Sequence, residues 1–149
     1  IEVTGISMMM SAQGADHTTG NAPKYECSGK GVDELVDISM EMQILCATAD
    51  SLGLCVFGRS VTNEHVEFMV QSINDALGTE LDPSFFRELG RETLKYEAQF
   101  NKDAGFTEVD DELPEFFYEE ALYPSDQVAR FHAAEVNASV ARWWEQHQV

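Results

Sequence analysis

The chain has 149 residues, 44% apolar and 24% charged, which fits one globular domain with its own core and excludes a disordered or collagen-like chain. Asp and Glu number 27 against 9 Lys and Arg, for a formal net charge of -18. That balance makes nucleic acid and anionic membranes poor partners, because both select a basic face; a solvated acidic surface is the plain reading, with adaptation to high salt or contact with a basic face as alternatives.

Residues 1–12 are apolar and Met-rich, and residues 14–23 read as a loop by their Gly, Asp, Asn and Pro content, with Gly29 and Gly31 closing the region. From 32 to about 49 the spacing predicts a helix, with Leu35, Ile38, Met42 and Leu45 as the core-facing stripe and Gly53 as its stop. A second helix is predicted from a Thr62 cap to Leu77, with Val66, Met69, Val70, Ile73 and Leu77 on one face and Gly78 ending it. Asp82-Pro83 is a start signal for a third, running to about Phe100 with Phe86, Leu89, Thr93 and Phe100 inward. Gly90 interrupts that helix at a cost in propensity, unless a neighbour packs close there.

Residues 101–124 read as irregular, punctuated by Gly105, Pro114 and Pro124 and carrying the acidic run Asp110-Asp111-Glu112. A last helix is predicted over 125–146, with Val128, Phe131, Val136, Val140 and Trp143 inward. There is no hairpin signal and no internal repeat. The expected fold is all-α: one helical domain, with 1–30 a loop-rich segment and 31–149 the helical body.

No apolar run reaches the roughly 18–20 residues needed to span a bilayer. Ile1-Glu2-Val3-Thr4-Gly5 lacks the basic start of a secretory signal, and a chain opening on Ile1 rather than Met is expected to begin at a processing or cloning boundary. Cysteines 27, 46 and 55 are odd in number and do not read as a secreted disulfide framework, so a reducing cytoplasm is the expected location.

Two stretches carry chemistry. In Asp50-Ser51-Leu52-Gly53-Leu54-Cys55 a carboxylate and a thiol flank a glycine where a helix stops, so the two side chains can face different neighbours. An ionised Asp accepts hydrogen bonds and suits a ligand with N–H donors, such as an aminopyrimidine ring; a thiolate suits a soft metal or an iron–sulfur cluster. Helix punctuation and a small buried hydrophobe are the plainer alternatives. In Gly14-Ala15-Asp16-His17-Thr18-Thr19-Gly20, a His beside a carboxylate can act as a general acid or base, or simply bond the backbone of its loop.

Elsewhere the signals are weak. Cys27 and Cys46 have no partner at metal-ligand spacing, and there is no CxxC. His65, His132 and His147 sit in polar helical patterns that favour the surface. Met8-Met9-Met10 reads as pliable packing, and Trp143-Trp144 as core or an interface anchor.

Together these stretches resemble the aldehyde ferredoxin oxidoreductases, tungsten- or molybdenum-dependent pterin enzymes. Asp50 to Cys55 is similar to that family's D-x-x-G-L-C motif, and Gly14 to His17 to its GADH motif, upstream as expected. Phe100-Asn101, Gly105-Phe106, Asp110-Asp111 and Leu113-Pro114 resemble a third stretch, "FN…GF…DD.LP". The likeness spans nearly the whole chain but only the C-terminal part of the family's polypeptide. The β-rich pterin domain, the CxxCxxxC segment and the D-x-x-G-L-D motif are not in it, so a fragment of a longer chain is expected.

The resemblance implies a multihelical C-terminal domain in which Cys55 is the fourth thiolate of a 4Fe–4S cluster and Asp50 binds the amino edge of the pterin. Gly53 and Leu54 would lie against the cofactors, and His17 near the tungsten or molybdenum, moving a proton during oxidation of an aldehyde to a carboxylic acid. Electrons would pass to a ferredoxin; ferredoxins are commonly acidic, as this chain is, so either the docking surface lies on other parts of the polypeptide or high salt screens the repulsion. The chain alone is expected to be inactive, to bind none of these cofactors, and to self-associate through the face bearing His17, Asp50 and Cys55, where Leu52, Leu54, Val56 and Phe57 would be uncovered. The alternative is a stand-alone helical interaction module of shared ancestry that binds no cofactor.

Overall fold

A computed structural model describes residues 2–147, apart from the side chains of Arg59 and Ser60; Ile1, the expected boundary, lies outside it. In chain order the helices are α1 (Glu2–Met10), α2 (Val32–Ser51), α3 (Arg59–Thr62), α4 (Val66–Leu77), α5 (Ser84–Asp103), α6 (Phe116–Glu119) and α7 (Ala133–Gln146), with a 3₁₀ turn at Val56–Gly58. No strand occurs among the described residues, only one isolated bridge between Leu122 and Gln127. The fold is all-α, and none of these helices is long and apolar enough to cross a membrane.

The axis of the fold is α2, which packs against α1, α5 and α7. Enclosure by three neighbours is why the expected single stripe is wrong: Leu35 is buried, but Ile38, Met42 and Leu45 are only half-buried. The buried positions run round the helix through Val36, Ser39, Met40, Gln43, Ile44, Cys46 and Ala47. The 1–12 segment forms α1, a helix the periodicity did not reveal because it too is buried broadly, through Val3, Thr4, Ile6, Ser7 and Met9. Met9 joins Val3, Ile6, Leu35, Val36, Met40, Ile44, Val136 and Trp143 in the core, as packing.

Polar bonds fix the helix pairs. The Trp143 indole N–H donates to Asp37 at 2.9 Å, and Ser139 Oγ and Arg142 Nη2 donate to Asp33 at 2.6 and 2.5 Å, tying α7 to α2. Between α2 and α5 the approach is so close that a Cβ on Gly90 would lie 2.2 Å from the Ile44 carbonyl oxygen. The glycine thus costs helix propensity and permits the crossing. Beside it, Thr48 Oγ1 donates to the Phe86 carbonyl at 2.6 Å.

Several expected boundaries and faces move. Thr62 ends α3 rather than capping α4, whose N-cap is His65. On α4 only Val70 is buried, and Leu77 is 73% exposed. On α5, Asp82 Oδ1 accepts the Ser84 N–H at 2.7 Å as a starting carboxylate should, and Phe86 is buried, but Phe100 is 72% exposed. The last helix begins at Ala133, not 125, because Glu112 accepts the Ala133 N–H at 3.1 Å and Glu135 accepts that of His132 at 3.3 Å. Val128, placed before this start, is exposed. His147 is not a surface ring: it stacks on Trp143 at 4.1 Å.

Candidate functional site

The end of α2 is closed by a Schellman turn. Gly53 sits at φ 66°, its N–H bonds the Asp50 carbonyl at 3.0 Å, and the Leu54 N–H bonds the Ala49 carbonyl at 2.8 Å. The left-handed residue reverses the chain and parts the flanking side chains. Asp50 lines a small cleft between α2, α5 and the loop after α1, together with Gln13, Thr19, Gln43, Leu94 and Glu97. Leu54 lines a separate cavity of about 120 Å³, walled by Ile44, Leu45, Pro83, Phe86 and Arg87. Cys55 and Asp50 are both exposed, as is Phe57, at 93%.

The loop of residues 14–20 is held by its own Asp. Asp16 Oδ1 accepts the Thr18 N–H at 2.8 Å and the Thr18 hydroxyl at 2.9 Å, and the Asp16 carbonyl accepts from Thr19 Oγ1 at 2.8 Å. These bonds, the Thr18 backbone N–H first, hold the Asp16 carboxyl below the usual carboxylate range. Gly14, at φ 76°, makes the turn. At the other end a Cβ on Gly20 would meet Gln43 Cγ at 2.8 Å and Ser7 Oγ at 2.9 Å, so the loop seats directly on α1 and α2. His17 is left exposed, its Nδ1 3.8 Å from Asp16 Oδ1.

The loop and the helix end thus meet at one cleft, where Gln13 and Thr19 face Asp50. His17 itself makes no hydrogen bond or ion pair with Asp50 or Cys55 among the described residues. The third stretch takes part through a contact that spacing could not reveal: Asn101 Nδ2 donates to the Ala12 carbonyl at 2.8 Å, pinning the loop's entry to α5. Gly105 repeats the Schellman device at the end of α5, at φ 95°, with Phe106 N–H on the Asn101 carbonyl at 3.1 Å. Asp111 accepts from Asn137 at 2.9 Å, which joins this stretch to α7.

Sequence reading missed Glu97 and Gln43. The available signal was helical spacing: Glu97 stands one turn before Asn101, and Gln43 two turns before Asp50. Burial, then the Asp50 charge, push the Glu97 carboxyl above the usual range. No group of three or more His, Cys, Asp or Glu side chains suited to a metal ion occurs among the described residues.

An all-α domain whose central helix ends at a left-handed glycine is the class defined by this geometry. The family model for aldehyde ferredoxin oxidoreductase, domains 2 and 3, matches residues 1–147, and the chain belongs to that family. Searches of curated proteins and of solved structures found no match.

Proposed function

We propose that this chain is the C-terminal helical domain of a tungsten- or molybdenum-pterin aldehyde:ferredoxin oxidoreductase, one domain of a longer polypeptide, and that its α2 end helps to hold two cofactors. The observation that carries the reading is the Schellman turn at Gly53, which presents an exposed carboxylate and an exposed thiol to different sides of one helix end.

The residues fit the groups. Cys55, free and exposed, suits a single iron ligand, with the other three thiolates supplied by other parts of the polypeptide. Asp50 is exposed at the helix end, and an ionised carboxylate suits a group that supplies N–H donors, as the amino edge of a pterin does. Gly53 adds no side chain between them, and Leu54 turns inward beside the helix end.

When bound, the metallopterin and the cluster supply two-electron oxidation and electron transfer from an aldehyde toward a ferredoxin. The part of this chain is narrower. Asp50 and Cys55 tie two neighbouring cofactors to one rigid element, and His17, held by an Asp16-ordered loop, takes or returns a proton at its imidazole. The chain alone is inactive on this reading, and its uncovered helix end self-associates.

The test is ligand chemistry in the full-length polypeptide, which reading the gene upstream of Ile1 should show to carry a pterin domain and a CxxCxxxC segment. Cys55→Ala is expected to lose most of the cluster iron, while Asp50→Ala chiefly loses pterin, assayed separately on the purified variants. A Cys55→Ala protein with full iron and unchanged visible absorption overturns the assignment.

A further inference from the structure

The loop that carries His17 is attached at both ends by neutral groups. At its entry, Asn101 Nδ2 of α5 donates to the Ala12 carbonyl at 2.8 Å. At its exit the attachment is buried. Gly20 is a buried residue, and its carbonyl accepts from Ser7 Oγ of α1 at 3.0 Å. Ser7, only 1% exposed, lies 2.6 Å from the hydroxyl of Ser39 on α2, which is wholly buried. Gln43 Nε2, one turn further along α2, donates to Ser39 Oγ at 3.1 Å. The fit is tight: a Cβ on Gly20 would lie 2.9 Å from Ser7 Oγ and 2.8 Å from Gln43 Cγ, so the loop backbone rests directly on these side chains.

The direction of these bonds follows from the proton inventory. An amide nitrogen only donates, so Ser39 Oγ is the acceptor of Gln43, and its own proton is free for Ser7. Ser7 in turn has one proton for Gly20. The competing acceptors are the Val3 carbonyl, 2.9 Å from Ser7 Oγ, and Met10 Sδ, 3.8 Å from Ser39 Oγ. The first is the ordinary back-bond of a helical serine, and the second is a weak acceptor. The order Gln43, Ser39, Ser7, Gly20 leaves no hydroxyl proton idle, and each bond polarises the next. It ends on the loop three positions after His17. That short span is stiffened by Asp16, which bonds Thr18 and Thr19, so a shift of Gly20 is passed on to the imidazole.

We propose that Ser7, braced by Ser39 and Gln43, is a positioning residue for His17: it fixes the seat of the loop, so that the imidazole returns to one place between proton transfers. This rests on the proton role proposed for His17. Ser7 acts through that residue and touches neither substrate nor cofactor. Removing its hydroxyl takes the donor from a buried carbonyl, which favours states in which the loop lifts and water replaces the lost bond.

The experiment uses the full-length polypeptide and combines amide hydrogen exchange over residues 13–21 with steady-state aldehyde oxidation, pterin and iron being measured per chain. Ser7→Ala is expected to speed exchange in the loop roughly tenfold, and to lower kcat several-fold with KM and cofactor content unchanged. Ser39→Ala keeps the bond to Gly20 but removes its brace, so both effects should be smaller; this milder variant carries the test alone if Ser7→Ala does not fold. Ile6→Val, a buried exchange on α1 outside the chain of hydroxyls, should lower Tm and leave loop exchange and kcat as they are. Unchanged loop exchange in the serine variants overturns the proposal, as does a faster loop with full kcat, or a kcat loss in Ile6→Val equal to that in Ser7→Ala. His17→Gln separates the proposal from the reading beneath it. Full kcat in that variant takes down the proton role itself, whereas a loss there beside full kcat in Ser7→Ala overturns the proposal alone.

Discussion

Two regions of this molecule are finished to different degrees. Around α2, the helices α1 and α7 bury Val3, Ile6, Leu35, Val36, Ile44, Val136 and Trp143, and close their polar edges with Asp33, Asp37 and Ser139. From the 3₁₀ turn to the start of α7, large apolar side chains stand in solvent: Phe57 at 93%, Leu77 at 73%, Val109 at 82% and Tyr123 at 89%. The difference teaches that α2, with α1, α7 and the Phe86–Gly90 face of α5 packed on it, supplies the stability, whereas the rest of the middle of the chain carries apolar surface that its own residues leave uncovered.

The sharpest break of that contrast is Trp143→Ala. Trp143 is 4% exposed and bonded to Asp37, so its removal should cost roughly 3–5 kcal/mol, read as a large fall in the denaturation midpoint. The same exchange at Phe57 should be nearly silent for stability.

Gly90→Ala comes next. In an exposed helix it would stabilise; here the Cβ meets the Ile44 carbonyl, and a loss of about 1–3 kcal/mol is expected, with thermal unfolding as the check. A gain in Tm would mean that α5 is held less closely to α2 than the structure shows.

Acid separates the regions by sign. The Ser139 hydroxyl, then Arg142, hold the Asp33 carboxyl below its usual range, so its contribution is present above the unfolded pKa and lost as pH falls through the folded one. Asp33→Asn should therefore lower Tm at neutral pH, with a difference that narrows as pH falls below the ordinary Asp range. Burial first, then Asp110 and Glu108, push Asp111 up despite its bond from Asn137, so its contribution has the opposite course: complete below the unfolded pKa and lost as pH rises through the folded one. Asp111→Asn should raise Tm at neutral pH, with a gain that fades below about pH 4. Melting curves across pH 3–8 test both slopes.

The smallest effect on stability belongs to Phe57→Ser, within about 0.5 kcal/mol for an exposed position. Its readout is association: light scattering over a concentration series should show less self-association than the parent chain. Equal scattering by both would place the contact elsewhere.

Much of this was legible in the residues. Helical spacing located α2, α4 and α5, Asp82-Pro83 marked the start of α5, and the glycine after Leu52 predicted the stop that the φ of 66° confirms. Boundaries failed where a distant residue decided them. Thr62 looked like a cap for α4, yet the chain spends it on ending α3; the last helix waits for Ala133 because Glu112 supplies its N-terminal acceptor from outside. Faces failed where the environment was not one-sided, as on α2.

The site divides in the same way. Asp50, Gly53 and Cys55 could be marked from sequence because a glycine-terminated helix end is a local device, set by backbone sterics within six residues. The motif order along the chain was likewise enough to recognise the family. What only the tertiary structure decided is what the helix end faces. Helical spacing says that Glu97 and Asn101 share a face of α5, but not that this face turns toward Asp50 and Ala12, since that depends on a crossing set by Gly90 against Ile44. Local rules fix a residue's conformation; contacts between residues 47 or 89 positions apart depend on how whole helices pack, and that is decided by the summed burial of side chains far from either one.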